Sequence, residues 1–156
     1  MIEVDIPGVG KYQFHHLVLD VNGTIAKDGQ LIAGVAELLA ELRSNLDIHL
    51  ITADTFGTQG SLDKSLNLAS VRIPLQNQIK AKLDYITGLG PDTVVAIGNG
   101  ANDAGMIEHA ALGIAIIGPE GSAVTSLLRA DVAVSDIRAA LELLLYPKRL
   151  IATLRQ

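Results

Sequence analysis

Residues Leu17-Val18-Leu19-Asp20-Val21-Asn22-Gly23-Thr24 put an apolar run, an acid and a glycine turn in immediate succession. An uninterrupted apolar run of this length reads as a strand buried on both faces, as in a parallel sheet. The acid then stands at the strand's C-terminal tip. In open α/β sheets that edge is where ligands bind. The following turn presents backbone N–H groups, which suit an anion such as phosphate.

The rest of the chain repeats the scheme. Residues 1–16 alternate loosely about Pro7-Gly8-Val9-Gly10, the pattern of a β-hairpin leading into the first core strand. Residues 26–29 read as loop. Leu31, Val35, Leu38, Leu39 and Leu42 recur at helical spacing, so a helix is predicted to about Arg43. A second buried strand, 48–52, ends in Thr52-Ala53-Asp54-Thr55. Strand, helix and strand make one βαβ unit with a right-handed crossover. Beyond it the spacing predicts a weaker helix over 56–66, a short strand over 69–73 and a helix over 78–89. A strand over 93–97 breaks at Gly98-Asn99-Gly100-Ala101-Asn102-Asp103, and a helix follows to about His109. Strands over 112–117 and 131–134 flank a short helix ending near Leu128. Asp136 is placed to N-cap a helix running to Leu145, and Pro147 kinks it or starts a further segment. The expected fold is a three-layer, doubly wound, Rossmann-like α/β sandwich. Its sheet is mostly parallel, an N-terminal β-hairpin precedes it, and residues 1–156 form one domain.

Composition narrows the function classes. Hydrophobic residues make up 49% of the chain and charged residues 19%, which suits buried strands. Aromatics are 3% with no Trp, and the net charge is -5, so a nucleic-acid partner is not expected. With no Cys there is no thiol nucleophile or thiolate metal site. No apolar run approaches the roughly 20 residues that span a bilayer, and no signal peptide is recognisable. A cytoplasmic protein without a membrane partner is expected.

The strand ends carry the chemistry. Asp20, Thr52, a lysine near the start of the helix at 78–89, and Asn99 with Asp103 would share one edge of a parallel sheet. A carboxylate can attack phosphorus and form an acyl phosphate. A hydroxyl and an ammonium can hold phosphoryl oxygens, and Mg²⁺ takes oxygen ligands.

These residues resemble the haloacid dehalogenase superfamily. Asp20-Val21-Asn22-Gly23-Thr24 is similar to its first motif, Asp-x-Asp-Gly-Thr. Thr52 at the end of an apolar strand is similar to the second. Gly98-Asn99-Gly100-Ala101-Asn102-Asp103 is similar to the fourth, Gly-Asp-Gly-x-Asn-Asp. The third, a lone lysine, is matched by Lys82, with Lys80 the alternative. Within the superfamily the chain most resembles small soluble proteins related to the phosphorylation domain of P-type ATPases, without a cap domain.

The resemblance implies a Mg²⁺-dependent phosphohydrolase or phosphotransferase acting on a small phosphorylated molecule. Asp20 would be the nucleophile, with Asn22, Thr52 and Lys82 completing the catalytic set. Gly23, Thr24, Thr52, Ala53, Lys82 and Asn102 would hold phosphate. Asp20, Asn22, Asn99 and Asp103 would hold the metal. A capless member is expected to be a homo-oligomer.

Two departures matter. Asn22 stands where the superfamily's phosphatases carry an acid/base Asp, and an amide cannot shuttle a proton. Asn99 replaces a metal-binding Asp. Slow turnover follows; the alternative is a non-catalytic phosphate-binding, regulatory or assembly protein. Other polar residues read as structural. Asp54 and Thr55 cap a helix, Glu120 is a solvated turn residue, His15, His16 and His109 are structural, and the basic tail is a solvated face.

Overall fold

The computed structural model describes residues 1–53 and 57–156. A hairpin of β1 (Ile2–Ile6) and β2 (Gly10–Phe14) leads into β3 (His16–Asp20), and a second, smaller hairpin follows as β4 (Ala26–Lys27) and β5 (Gln30–Leu31). The later strands are β6 (Asp47–Thr52), β7 (Val71–Arg72), β8 (Val94–Gly98), β9 (Leu112–Ile116) and β10 (Val132–Val134). Six strands form one parallel sheet, ordered β10-β9-β8-β3-β6-β7. The helices are α1 (Val35–Leu42), α2 (Gln59–Leu66), α3 (Gln78–Leu89), α4 (Ala104–His109), α5 (Val124–Leu127), α6 (Ile137–Leu145) and α7 (Pro147–Leu154). The expected doubly wound α/β architecture is what the chain adopts.

Alternation along β3 divides the core. Leu17 and Leu19 join the larger apolar cluster with Val35 and Leu39 of α1 and Leu141 and Leu144 of α6. Val18 points the other way, packing with Ile86 of α3 and Met106 of α4. Asp20, two residues beyond Val18, therefore lies on the α3 side. The chain runs from β3 outward to β6 and β7, then returns to lay β8 on the other flank of β3. This reversal opens a crevice at the C-terminal ends of β3 and β8, the position where open α/β sheets bind ligands.

Several elements differ from the sequence expectations. Residues 26–29 are not plain loop but belong to the β4–β5 hairpin. Its turn residues Asp28 and Gly29 have φ of 50° and 76°, the pair of positive values an Asp-Gly hairpin turn supplies. Leu31 thus belongs to a strand. Gly34, with φ of 86°, fixes the start of α1 at Val35. The edge strand predicted over 69–73 shrinks to two residues. Asp136 caps α6 as expected, accepting hydrogen bonds from the amides of Arg138 and Ala139. Pro147 starts a separate helix. Among the described residues no helix is long and apolar enough to cross a membrane.

Candidate active site

The site is built from five segments that meet at the crevice: the turn after β3, the end of β6, the start of α3, the loop after β8 and the turn after β9. After β3 the chain turns back on itself. The carbonyl of Val21 accepts hydrogen bonds from the amides of Thr24, Ile25 and Ala26, and Gly23 N–H donates to the Ala26 carbonyl. The amides of Gly23 and Thr24 are therefore taken up inside the turn rather than offered to an anion. Gly23 has φ of +81°, and a Cβ there would lie 2.6 Å from Asn99 Nδ2. Glycine is thus required both by conformation and by the loop that follows β8.

That loop folds around Asp103. Its Oδ2 accepts from the amides of Asn99 (3.0 Å) and Gly100 (2.9 Å). A Cβ at Gly98 would stand 2.4 Å from the Asp103 carboxyl carbon, so the loop closes this tightly only with glycine there. Ser126 donates to the Gly100 carbonyl at 2.6 Å, and Ala123 N–H donates to the Asn99 carbonyl.

Lys82 enters from α3. Its Nζ donates to Asp20 Oδ1 at 2.5 Å and to Asp103 Oδ1 at 2.6 Å, and the residue is fully buried. Lys80 is exposed and pairs with Asp84 one turn along α3. Geometry thus places Lys82, not Lys80, at Asp20. Thr24, also buried, directs its hydroxyl to Asp20 Oδ2 (3.1 Å) and Asn99 Oδ1 (3.3 Å).

Two carboxylates share one ammonium in a dry environment. Burial and the charge of Asp103 push the Asp20 carboxyl up to about 7, against the pull of Lys82. Burial works against the Lys82 ammonium, but the two carboxylates outweigh it and hold its pKa above the usual lysine value.

In front of Asp20 opens a cavity of about 250 Å³. Asn22, Thr52, Ala53, Asn99 and Asn102 line it, together with Gln78, Gly100 and Glu120. Lys82, Thr24 and Asp103 stand behind the lining. Asp103, fully buried, accepts from Lys82 through Oδ1 and from the loop amides through Oδ2 and is not part of the lining. Asp54 and Thr55 fall outside the described residues. Gln78 and Glu120 were not singled out for chemistry by the sequence. Gln78 accepts from Asn102 Nδ2 at 2.6 Å, which holds the loop after β8 against α3.

The oxygens fit a hard cation. Thr24 has one hydroxyl hydrogen for two acceptors, so either Asp20 Oδ2 or Asn99 Oδ1 keeps an open lone pair. Among the described residues no group of three or more His, Cys, Asp and Glu side chains is disposed to hold a metal ion. At the cavity floor a cation would depend on the Asp20 carboxylate supplemented by amide and carbonyl oxygens, the second lining carboxylate, Glu120, being exposed.

No family model matches the chain. An uncharacterised protein of Methanocaldococcus jannaschii is 48% identical over 62 residues, covering 40% of this chain and 67% of that protein. A second from the same organism is 46% identical over 39 residues, covering 25% of this chain and 89% of its own length. This chain belongs to the family of these two proteins. A protein assigned as phospholipid-transporting ATPase 12 of Arabidopsis thaliana is 42% identical over 59 residues, which are 38% of this chain and 5% of the ATPase. A protein assigned to the HAD superfamily (subfamily III A) hydrolases from Legionella pneumophila superposes with a TM-score of 0.71 at 16% identity, covering 90% of this chain and 87% of that one. The chain has the haloacid dehalogenase fold. Other solved structures with this fold include the 3-deoxy-D-manno-octulosonate 8-phosphate phosphatase of Moraxella catarrhalis, in complex with magnesium, phosphate and KDO. It superposes with a TM-score of 0.66 at 20% identity, covering 91% of this chain and 94% of that one. A phospho-aspartyl intermediate analogue of phosphoserine phosphatase superposes with a TM-score of 0.65 at 13% identity, covering 83% and 98%. The haloacid dehalogenase resemblance of the motifs and the fold of the chain thus agree.

Proposed function

We propose that this chain, a single haloacid dehalogenase-fold domain, is a phosphohydrolase or phosphotransferase that works through a phospho-aspartate at Asp20. Its substrate is a small phosphorylated molecule. The observation that carries this reading is Asp20 itself: a carboxylate at the floor of a polar cavity in the switch-point crevice, gripped by a buried lysine 2.5 Å away.

The chemistry follows from the placement. A carboxylate oxygen of Asp20 attacks phosphorus, the bond from phosphorus to the leaving oxygen breaks, and that oxygen takes the electron pair. Lys82 fixes the Asp20 carboxylate from behind and remains an ammonium, so it stabilises charge at the floor and does not compete for the proton. Thr24 orients the second Asp20 oxygen. Thr52, Ala53 and Asn102 line the space in which the phosphoryl oxygens would sit. Mg²⁺ would be held by Asp20, Asn99 Oδ1 and the carbonyl of Asn22, and would supply positive charge for the phosphoryl group.

The test is hydrolysis of an aryl phosphate with Mg²⁺ by the wild type, Asp20→Asn and Asn22→Asp. Wild-type activity that Asp20→Asn abolishes supports an enzyme. Silence in the wild type with activity in Asn22→Asp identifies an intact scaffold used for phosphate binding or regulation. Silence in every variant contradicts the phosphatase reading.

A further inference from the structure

Rapid hydrolysis of an acyl phosphate on Asp20 calls for a group that takes a proton from water. Of the described residues lining the cavity, Asp20 and Glu120 carry carboxylates. The rest supply amides, a hydroxyl and backbone, none of which accepts a proton near neutral pH. Asp20 is the leaving group of this step and is excluded. Glu120 remains.

Its position suits the task. Asp20 is buried at the cavity floor, whereas Glu120 is exposed at the rim. Water attacking phosphorus in line with the Asp20–phosphorus bond must come from the side opposite Asp20, which is the rim. The Glu120 turn is anchored to the same site. Asn99 Nδ2 donates to the Gly121 carbonyl at 3.1 Å, and a Cβ on Gly118 would stand 3.3 Å from the Gly23 carbonyl. The Glu120 carboxylate itself accepts from the Asp28 amide at 3.3 Å, through Oε1. That contact ties the tip of the β4–β5 hairpin to the rim and engages one of the two carboxylate oxygens.

We infer that Glu120 is the general base for breakdown of phospho-Asp20, in a site where Asn22 cannot serve. This rests on the phosphatase reading above. In the step, a water oxygen bonds to phosphorus and its proton passes to Glu120. The phosphorus–Asp20 bond breaks, and its electron pair returns to the Asp20 carboxylate. Inorganic phosphate leaves.

The experiment follows decay of the phosphoenzyme by intact mass after an aryl phosphate has been supplied and removed. Glu120→Gln is the decisive variant, because Gln still accepts from the Asp28 amide but cannot take a proton. It should form the phosphoenzyme and lose it about 100-fold more slowly than the wild type. In Glu120→Gly, added formate should accelerate the decay in proportion to its concentration, which no loss of the hairpin contact would produce. Decay in Glu120→Gln as fast as in the wild type overturns the assignment, as does failure of that variant to form a phosphoenzyme that the wild type does form. Absence of a phosphoenzyme in both, with no wild-type turnover, defeats the phosphatase reading, and the role of Glu120 falls with it.

Discussion

Replacing the proposed nucleophile should make the protein more stable. The ordinary pKa of 3.8 for Asp20 rises to about 7 in the fold, because burial and Asp103 together outweigh Lys82. At about 1.4 kcal/mol per pH unit, that gap corresponds to a penalty of about 4 kcal/mol for ionised Asp20. The sign follows from proton binding. Between pH 3.8 and 7 the folded state holds a proton that the unfolded chain has released, so folding weakens as pH rises through this window. Above 7 the whole penalty applies. The amide introduced by Asp20→Asn would never ionise; its Oδ1 would still accept from Lys82, and its Nδ2 would donate to the Thr24 hydroxyl, which keeps Asn99 Oδ1 as an acceptor. Lys82 would keep Asp103 as a partner, 2.6 Å away. Asp20→Asn should therefore gain up to about 4 kcal/mol at pH 8, and the gain should shrink toward zero near pH 4. Urea unfolding of both proteins at pH 8, 6 and 4, with EDTA present to remove divalent cations, reads this directly. Equal stabilities at pH 8, or a gain as large at pH 4 as at pH 8, would refute the electrostatic account of the site.

Removing the ammonium has the opposite consequence: Lys82→Met strands two buried carboxylates and should cost about 3–5 kcal/mol by urea unfolding at pH 8, with phosphoryl transfer lost. Gly98→Ala forces a methyl against the Asp103 carboxyl and should cost about 1–3 kcal/mol, with activity falling alongside stability. Asp136→Ala removes the α6 cap and should cost about 1 kcal/mol near neutral pH. Helix-end hydrogen bonds and Arg138 hold the Asp136 carboxyl below its usual 3.8, so its contribution is present above that pH and disappears as pH falls through the lower folded value. His49 behaves oppositely to an ordinary paired histidine. Burial and His16 lower its pKa from 6.5, the unfolded chain therefore binds the extra proton, and stability should drop as pH falls below 6.5. His49→Gln should flatten that drop in thermal melts between about pH 7 and 5.

The sequence showed the sheet and its switch point because buried parallel strands are legible as apolar runs, and the central runs here end in residues with chemistry. Asp20, Thr52 and Asn99 followed from that placement, and Asn102 from the motif that continues beyond Asn99. Lys82 over Lys80 depended on a helix face, and the apolar spacing of α3 indicated it. What could not be read was the direction in which polar groups point. Thr24 and Asp103 sit in the motifs yet lie behind the cavity lining, since the turns that contain them use their bonding capacity internally. Gln78 and Glu120 reach the cavity only because α3 and the turn after β9 close over it, a tertiary approach that leaves no local signal. The β4–β5 hairpin did leave one, in Asp28-Gly29, although two residues per strand are too few for alternation to show.

The central claim is that Asp20 receives a phosphoryl group. The direct measurement is to incubate the protein with an aryl phosphate and Mg²⁺, quench in acid, reduce with borohydride and locate the modified residue by peptide mass spectrometry. The account predicts modification at Asp20 in the wild type, absent from both Asp20→Asn and Lys82→Met. An unmodified Asp20, or labelling that survives Asp20→Asn, would contradict it.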